Sequence, residues 1–199
     1  MDDLEVDAIK TGMLHSAEVI RVVREVIDRL APAVPLVVDP VMVAKGGARL
    51  LQPEAEGALR ELLLPRATIL TPNLPEAEAL LGERIEGVDA MRRAAEALLR
   101  MGPAAVLLKG GHLPGDEVVD VLALADGSLA HLRSPRIATT NGHGTGCTLS
   151  SAIAAHLALG HALPSAVAQA RSYILGAIQA GAAVRTGHGH GPLNHGYAP

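Results

Sequence analysis

The sequence predicts an α/β fold in which helices cover both faces of a mostly parallel β-sheet. Short apolar segments of strand type alternate with longer amphipathic segments of helix type. This alternation is typical of parallel strands joined by right-handed crossovers. A glycine-rich turn at residues 141–147 leads directly into a further helical segment. The length of 199 residues suits one core, so we treat residues 1–199 as a single domain.

The composition restricts the class of ligand and the compartment. The chain has no Phe or Trp, only two Tyr and a net charge of −4, so it lacks the aromatic platforms and basic excess of nucleic-acid binders. One cysteine excludes an intrachain disulfide, and no apolar run reaches membrane-spanning length. We expect a cytoplasmic protein with a small-molecule substrate and no nucleic-acid or membrane partner.

The first two thirds of the chain carry the strand–helix alternation. Apolar runs predict strands, and Ser16 is a suitable N-cap for the first helix. The predicted strands are 6–10, 36–38, 67–70 and 105–108, and the predicted helices are 16–30, 53–64, 76–81 and 88–101. Between the second strand and the second helix we expect a loop that contains Lys45-Gly46-Gly47.

The last third of the chain has a different pattern. Two apolar runs flank Asp126-Gly127 and predict a β-hairpin of strands 118–124 and 129–132. After the glycine-rich turn, helices are predicted at 148–159 and 164–181. The tail from Thr186 to Pro199 has no apolar periodicity and is expected to be loose.

Polar residues stand at the carboxyl ends of the four predicted parallel strands. They are the Thr11-Gly12-Met13 turn, Asp39, Asn73 with Glu76, and Lys109. Ligands of open α/β sheets bind beyond the carboxyl ends of the strands. We therefore expect these residues to meet in one site.

The glycine-rich turn is a candidate anion site at the start of a helix. Gly144 and Gly146 allow a sharp turn and a close approach to a ligand, and the first helical N–H groups have no intrahelical acceptor. No Gly-Lys-Ser/Thr follows, so the turn is not a Walker A loop, and spacing alone leaves open a tight connection without a ligand. Cys147 is either a small buried residue or a thiol whose pKa the helix start lowers.

The motif Asn141-Gly-His-Gly-Thr-Gly-Cys-Thr148 resembles the anion-hole motif of the hydroxymethylpyrimidine/phosphomethylpyrimidine kinases of thiamine biosynthesis, which belong to the ribokinase-like superfamily. Gly142 stands where the family usually has Thr. Residues 71–82, Lys109-Gly-Gly-His112 and Gly187–Pro192 are also similar to family segments. The resemblance implies a ribokinase-like fold with ATP and Mg²⁺ as cofactors.

The resemblance also implies roles for individual residues. Asp39 and Glu76 would face Mg²⁺, Asn73, Lys109 and Thr145 the ATP phosphates, and Gly144, Thr145, Gly146 and Lys109 the charge of the transferring group. Cys147 would help to deprotonate the substrate hydroxyl, and Gly12, Met13 and Val41 would contact the pyrimidine. Without the resemblance, Asp39 is a turn residue, Lys109 extends its ammonium to water and Met13 is a core residue.

The resemblance covers nearly all of this chain but not all of the family's pattern. Family members begin with a further β-α-β segment that contains a Gly-Ser-Asp motif and a pyrimidine-contacting glutamine, and this sequence has neither. A fragment or misplaced start, a chain completed by a partner, and a degenerate module are the three explanations, of which we favour the first. His188, His190 and His195 lack zinc-type spacing, so we interpret this segment as a closing element near the nucleotide rather than a metal site.

The function that the resemblance implies is ATP-dependent phosphorylation of hydroxymethylpyrimidine and then of its monophosphate. One alternative is a related pyridoxal kinase. The other is a non-catalytic module that binds a nucleotide or ligand. Because the predicted sheet has unpaired edges, we also expect a homodimer.

Overall fold

The computed structural model describes residues 3–42, 50–185 and 187–197. The predicted Lys45-Gly46-Gly47 loop lies outside the described residues. In chain order the elements are β1 (Ile9–Thr11), α1 (Ala17–Leu30), β2 (Leu36–Val38), α2 (Pro53–Ala58), β3 (Ile69–Leu70), α3 (Leu74–Leu81), α4 (Val88–Leu99), β4 (Ala105–Leu108), β5 (Glu117–Leu124), β6 (Leu129–Pro135), α5 (Thr145–Ala158) and α6 (Leu163–Gly181).

The six strands form one sheet whose spatial order is the same as the chain order. Strands β1 to β4 are parallel, and β5 and β6 add antiparallel to β4. The predicted hairpin therefore extends the parallel sheet at the edge opposite β1. Alternate residues of β2 enter different core layers: Leu36 and Val38 pack with α1 to α4, and Val37 packs with α5 and α6. The predicted three-layer arrangement is confirmed.

The helices bury one side and leave the other in water. Ser16 caps α1 as predicted, since its hydroxyl accepts a hydrogen bond from the Val19 N–H at 3.3 Å. Ile20 and Ile27 of α1 are buried, while Arg21 is exposed. Among the helices of the described ranges, none is long and apolar enough to cross a lipid bilayer.

The predicted helix 53–64 is only partly α-helical. Regular α-helix ends at Ala58, Leu59–Leu63 form a π-helical turn, and Leu64–Arg66 form a 3₁₀ turn. Pro65 has no backbone N–H, so the i→i−4 ladder cannot continue through it. The prediction of strand 6–10 is also shifted, because pairing with β2 begins only at Ile9.

Candidate functional site

Asp39 lies at the centre of a polar cluster beyond the carboxyl end of β2. Its side chain is only 2% exposed. Its Oδ1 lies 3.1 Å from Lys109 Nζ and accepts a hydrogen bond from Thr71 Oγ1 at 3.3 Å. Its Oδ2 accepts from Ser150 Oγ at 3.2 Å and lies 4.0 Å from Lys10 Nζ. Asp39 therefore connects β1, β3, β4 and α5, which is more than a turn residue does.

Lys109 is held at the end of β4 by both its backbone and its side chain. Its N–H donates to the Pro72 carbonyl at 2.9 Å, and the residue forms a parallel bridge with Asn73. A Cβ on Gly146 would lie 3.1 Å from Lys109 Nζ, so the ammonium rests against the start of α5. The predicted meeting of Lys109, Asp39 and the glycine-rich turn is present.

Asn73 and Glu76 form a capping box at the start of α3. The Asn73 N–H donates to Glu76 Oε2 at 2.8 Å, and the Glu76 N–H donates to Asn73 Oδ1 at 2.9 Å. This box moves the start of α3 to Leu74, two residues before the predicted start. Within this box the Asn73 side-chain oxygen already accepts a hydrogen bond from the Glu76 N–H.

Glu76 is a buried carboxyl group whose ionisation is costly. The residue is 4% exposed, and burial raises the pKa of its carboxyl, as does Asp39, while Lys109 and the Asn73 and Met42 backbones offset part of the rise. The Asp39 carboxylate thus lies close enough to disfavour the charged form of Glu76. Among the described residues no cluster of three or more His, Cys, Asp or Glu could hold a metal ion. A two-carboxylate pair still fits Mg²⁺, which prefers few carboxylates together with water and phosphate oxygens.

Helix α5 begins at Thr145, three residues earlier than predicted. Gly144 is its N-cap, with φ 85°, a left-handed conformation that suits glycine. This cap has no side-chain acceptor, so it leaves the N–H groups of the first turn for another partner. Thr145 instead donates its hydroxyl to the Gly142 carbonyl at 2.9 Å. Cys147 consequently lies inside the first turn of α5.

The predicted lowering of the Cys147 pKa is wrong in this structure. The residue as a whole is exposed. Partial burial of the thiol nevertheless raises its pKa, and the nearby Asp39 carboxylate raises it further. Lys10 and Lys109 lower the pKa, but by less than these two effects raise it. Cys147 is therefore a neutral thiol beside Asp39, and the start of the helix does not make it a thiolate.

The structure describes all three residues expected to contact the substrate ring. Met13 is 53% exposed, so the alternative of a core methionine is wrong. Gly12 lies beneath Lys10, since a Cβ there would be 3.2 Å from Lys10 Nζ. Val41 has φ 38°, which is strained for a β-branched residue and costs of the order of 1–3 kcal/mol. Such strain persists where surrounding structure imposes it, often at ligand sites.

The described part of the C-terminal tail docks on the glycine-rich turn, contrary to the prediction of a loose tail. The His143 N–H donates to the Gly191 carbonyl at 3.3 Å, and Leu193 is buried. Asn141 is 5% exposed and donates to the Gly181 carbonyl at 2.7 Å and also to the Val184 carbonyl. A cavity of about 370 Å³ opens here, lined by Thr140, Asn141, Ala182, Ala183, Val184, Arg185, Gly187, His188 and Gly189.

We expect Gly191→Ala to lower the free energy of unfolding by about 2 kcal/mol, since it disrupts a buried hydrogen-bonding group. The new Cβ would lie 2.1 Å from Asn141 Oδ1 and would force this side chain off its two acceptors. Gly189→Ala is the matched control, because its Cβ meets nothing within 4 Å. Urea denaturation measures both, and equal midpoints would contradict the role of the Asn141–Gly191 contact.

The sequence analysis missed three members of the cluster. Ser150 is fully buried and also donates toward the Cys147 carbonyl at 3.0 Å. Thr71 is fully buried at the end of β3. Lys10 is the third. Thr71 and Lys10 stand at carboxyl ends of predicted strands and could have been found by that rule. Ser150 lies within a helix, and its sequence context gives no signal.

Comparison with known proteins identifies the relatives of this chain. The family model for phosphomethylpyrimidine kinase matches residues 1–194. A hydroxymethylpyrimidine/phosphomethylpyrimidine kinase of Streptomyces coelicolor is 49% identical over 100% of this chain and 71% of its own length. A thiamine biosynthesis bifunctional protein of Geobacter sulfurreducens is 50% identical over 97% of this chain, which spans only 39% of that longer protein.

The fold agrees as well. A Bacillus subtilis pyridoxal kinase, solved as an ADP complex, superposes with a TM-score of 0.86 at 36% identity over 98% of this chain and 72% of its own. The ribokinase-like fold implied by the sequence is therefore confirmed. From the match over nearly its whole length and from these relatives, the chain belongs to the phosphomethylpyrimidine kinase family.

Proposed function

We propose that this chain transfers the γ-phosphoryl group of ATP to hydroxymethylpyrimidine and then to its monophosphate, in thiamine biosynthesis. The observation that carries the proposal is the cluster around Asp39. Lys109, a buried carboxylate pair and the uncapped start of α5 meet at the carboxyl edge of the sheet. Positioning and charge stabilisation are what phosphoryl transfer requires. The Streptomyces coelicolor relative is named as a hydroxymethylpyrimidine/phosphomethylpyrimidine kinase, and the Geobacter sulfurreducens relative is named for thiamine biosynthesis.

The side of the cluster formed by β4 and α5 suits the ATP phosphates. Lys109 supplies a positive charge, and the N–H groups of Gly144, Thr145, Gly146 and Cys147 supply donors for the transferring group. Asn73 contributes through its position beside Lys109. The cavity at Asn141 and Gly187–Gly189 has the size of a small-ligand site, so we assign it to the nucleoside.

Asp39 and Glu76 would hold Mg²⁺, which in phosphoryl transfer neutralises charge on the phosphates. Thr71 and Ser150 orient Asp39 by donating to its two oxygens. The capping box fixes Glu76 at the start of α3. These contacts keep both carboxylates in place before any ligand binds.

The opposite side of the cluster would receive the pyrimidine. Gly12, Met13 and the strained Val41 form its wall, and Cys147 faces the hydroxyl to be phosphorylated. Because its thiol is neutral, Cys147 could accept the hydroxyl proton only after it had given up its own S–H proton. We therefore assign Cys147 first to positioning the substrate hydroxyl.

The test is turnover of the 199-residue chain with ATP and Mg²⁺, with hydroxymethylpyrimidine, its monophosphate and pyridoxal offered separately. Pyrimidine diphosphate formed from the monophosphate supports the proposal. Nucleotide binding without any turnover would support the non-catalytic module instead. Turnover with pyridoxal alone would replace the proposal by the second candidate.

That second candidate is pyridoxal phosphorylation. It is favoured by the superposition on the Bacillus subtilis pyridoxal kinase. An identity of 49% to the Streptomyces coelicolor pyrimidine kinase, against 36% to this pyridoxal kinase, places pyridoxal phosphorylation second.

A homodimer and a cytoplasmic location stay predictions. Two observations support self-association: β1 lies at an edge of the sheet, and Val19 and Val22 of α1 are large apolar residues that are exposed. Size-exclusion chromatography with light scattering measures the oligomeric state directly.

A further inference from the structure

Lys10 reaches the site from the opposite side to Lys109. It pairs in register with Val37, whose side chain lies in the core layer under α5 and α6. Paired residues of neighbouring strands point to the same face, so the Lys10 side chain rises on the face that carries the glycine-rich turn. Its ammonium ends 4.0 Å from Asp39 Oδ2.

The surroundings of this ammonium belong to the acceptor side. The ammonium lies over Gly12, where a Cβ would be 3.2 Å away. Lys109, in contrast, rests against Gly146 on the side assigned to ATP. The two lysines thus flank Asp39, with Lys10 on the side of the acceptor and Lys109 on the side of ATP.

An ordinary ion pair does not account for Lys10. Asp39 already has Lys109 at 3.1 Å and hydrogen bonds from Thr71 and Ser150. The contact of Lys10 at 4.0 Å is too long for a hydrogen bond. The Lys10 side chain is only 19% exposed, so its charge is partly dehydrated for a weak contact. This arrangement leaves an ammonium able to bind a further anion.

We propose that Lys10 binds the phosphate already carried by the acceptor, so that it promotes the second phosphoryl transfer and not the first. This inference rests on the proposed function.

In the first transfer the nucleophile is a hydroxyl that must lose its proton. In the second, an oxygen of the monophosphate attacks the γ-phosphorus, the bond to the β–γ bridging oxygen breaks, and ADP leaves. A phosphate monoester has a second pKa near 6, so this oxygen is already deprotonated at neutral pH. Repulsion between the two anions then limits their approach, and a lysine reduces this repulsion by neutralising negative charge.

The test compares Lys10→Met and Lys10→Arg with the wild type on each acceptor separately. For Lys10→Met we expect kcat/KM to fall about 10- to 100-fold with the monophosphate, the range for a lost charge-assisted contact, and less than about threefold with the free alcohol. Lys10→Arg keeps the positive charge and should restore most of the monophosphate activity. An equal loss on both acceptors, or none on either, would overturn the inference.

Equilibrium dialysis with the monophosphate separates this inference from the proposed function. The wild type should bind the monophosphate more tightly than the free alcohol, and Lys10→Met should bind the two alike. If the wild type shows no preference, the inference fails whether or not the chain turns over. If the preference depends on Lys10 but no diphosphate forms, Lys10 binds the acceptor phosphate as inferred, and the proposed function fails.

Discussion

Lys109→Met is expected to lower kcat about 10²- to 10³-fold, which corresponds to about 2.7–4 kcal/mol of transition-state stabilisation. Lys109 Nζ lies between Asp39 Oδ1 and Gly146, where a proposed phosphate would be held. Methionine keeps much of the side-chain volume but removes the charge. Asp39 would keep Thr71 and Ser150 as donors, so we expect the fold to survive. Steady-state kinetics with saturating ATP measure the effect.

Arg93→Met is the matched control for this experiment. Arg93 is an exposed cation of α4, so its loss changes the net charge equally without touching the site. Its kcat should stay within about twofold of the wild type, which is about 0.4 kcal/mol. If Lys109→Met behaves like Arg93→Met while its thermal unfolding is unchanged, Lys109 has no part in the reaction.

Gly110→Ala is expected to destabilise the protein by more than about 4 kcal/mol. A Cβ at residue 110 would lie 1.9 Å from the Val119 carbonyl oxygen, a backbone atom that cannot rotate away. The Gly110 N–H is itself fixed, because it donates to Asp120 Oδ1 at 2.9 Å. Asp120 is held in turn by Arg171, whose Nε lies 2.9 Å from Oδ2. The Gly110 backbone therefore cannot move away from the Val119 carbonyl without breaking its hydrogen bond to Asp120.

Gly111→Ala tests whether this effect belongs to one position. A Cβ there meets nothing within 4 Å, so we expect a change within about 1 kcal/mol. Urea denaturation of both variants gives the comparison. If Gly110→Ala is insoluble, the yields of soluble protein from the two variants are compared instead of their urea denaturation. Equal stability of the two variants would show that the β4–β5 connection is not constrained as described.

The sequence predicted the framework of the site because the framework follows from strand ends. The run Leu36–Val38 is apolar throughout and marks a strand buried on both faces, which places Asp39 directly at its end. The same rule placed Lys109 after β4 and Asn73 after β3. These residues meet because parallel strands end at one edge of the sheet.

The parts that the sequence did not predict depend on packing between distant segments. Cys147 was expected to be acidic from its place near the start of a helix, but burial and Asp39 dominate its pKa, and neither is visible in local sequence. The tail was expected to be loose because Gly-His repeats show no periodicity, whereas single residues such as Leu193 hold it. In the sequence Ser150 is an ordinary helical serine, and only the packing of α5 against Asp39 brings it into the site.

The agreement between chain order and strand order in the sheet has a consequence for protein synthesis. Each new strand finds its partner in the strand that left the ribosome before it, so no edge must wait for a much later segment to pair. Helices α5 and α6 follow all six strands in the chain, and the glycine-rich turn is tied down only when Gly191 and Pro192 have emerged. A nascent chain would thus be able to pair these six strands before its phosphate-facing loop is tied down.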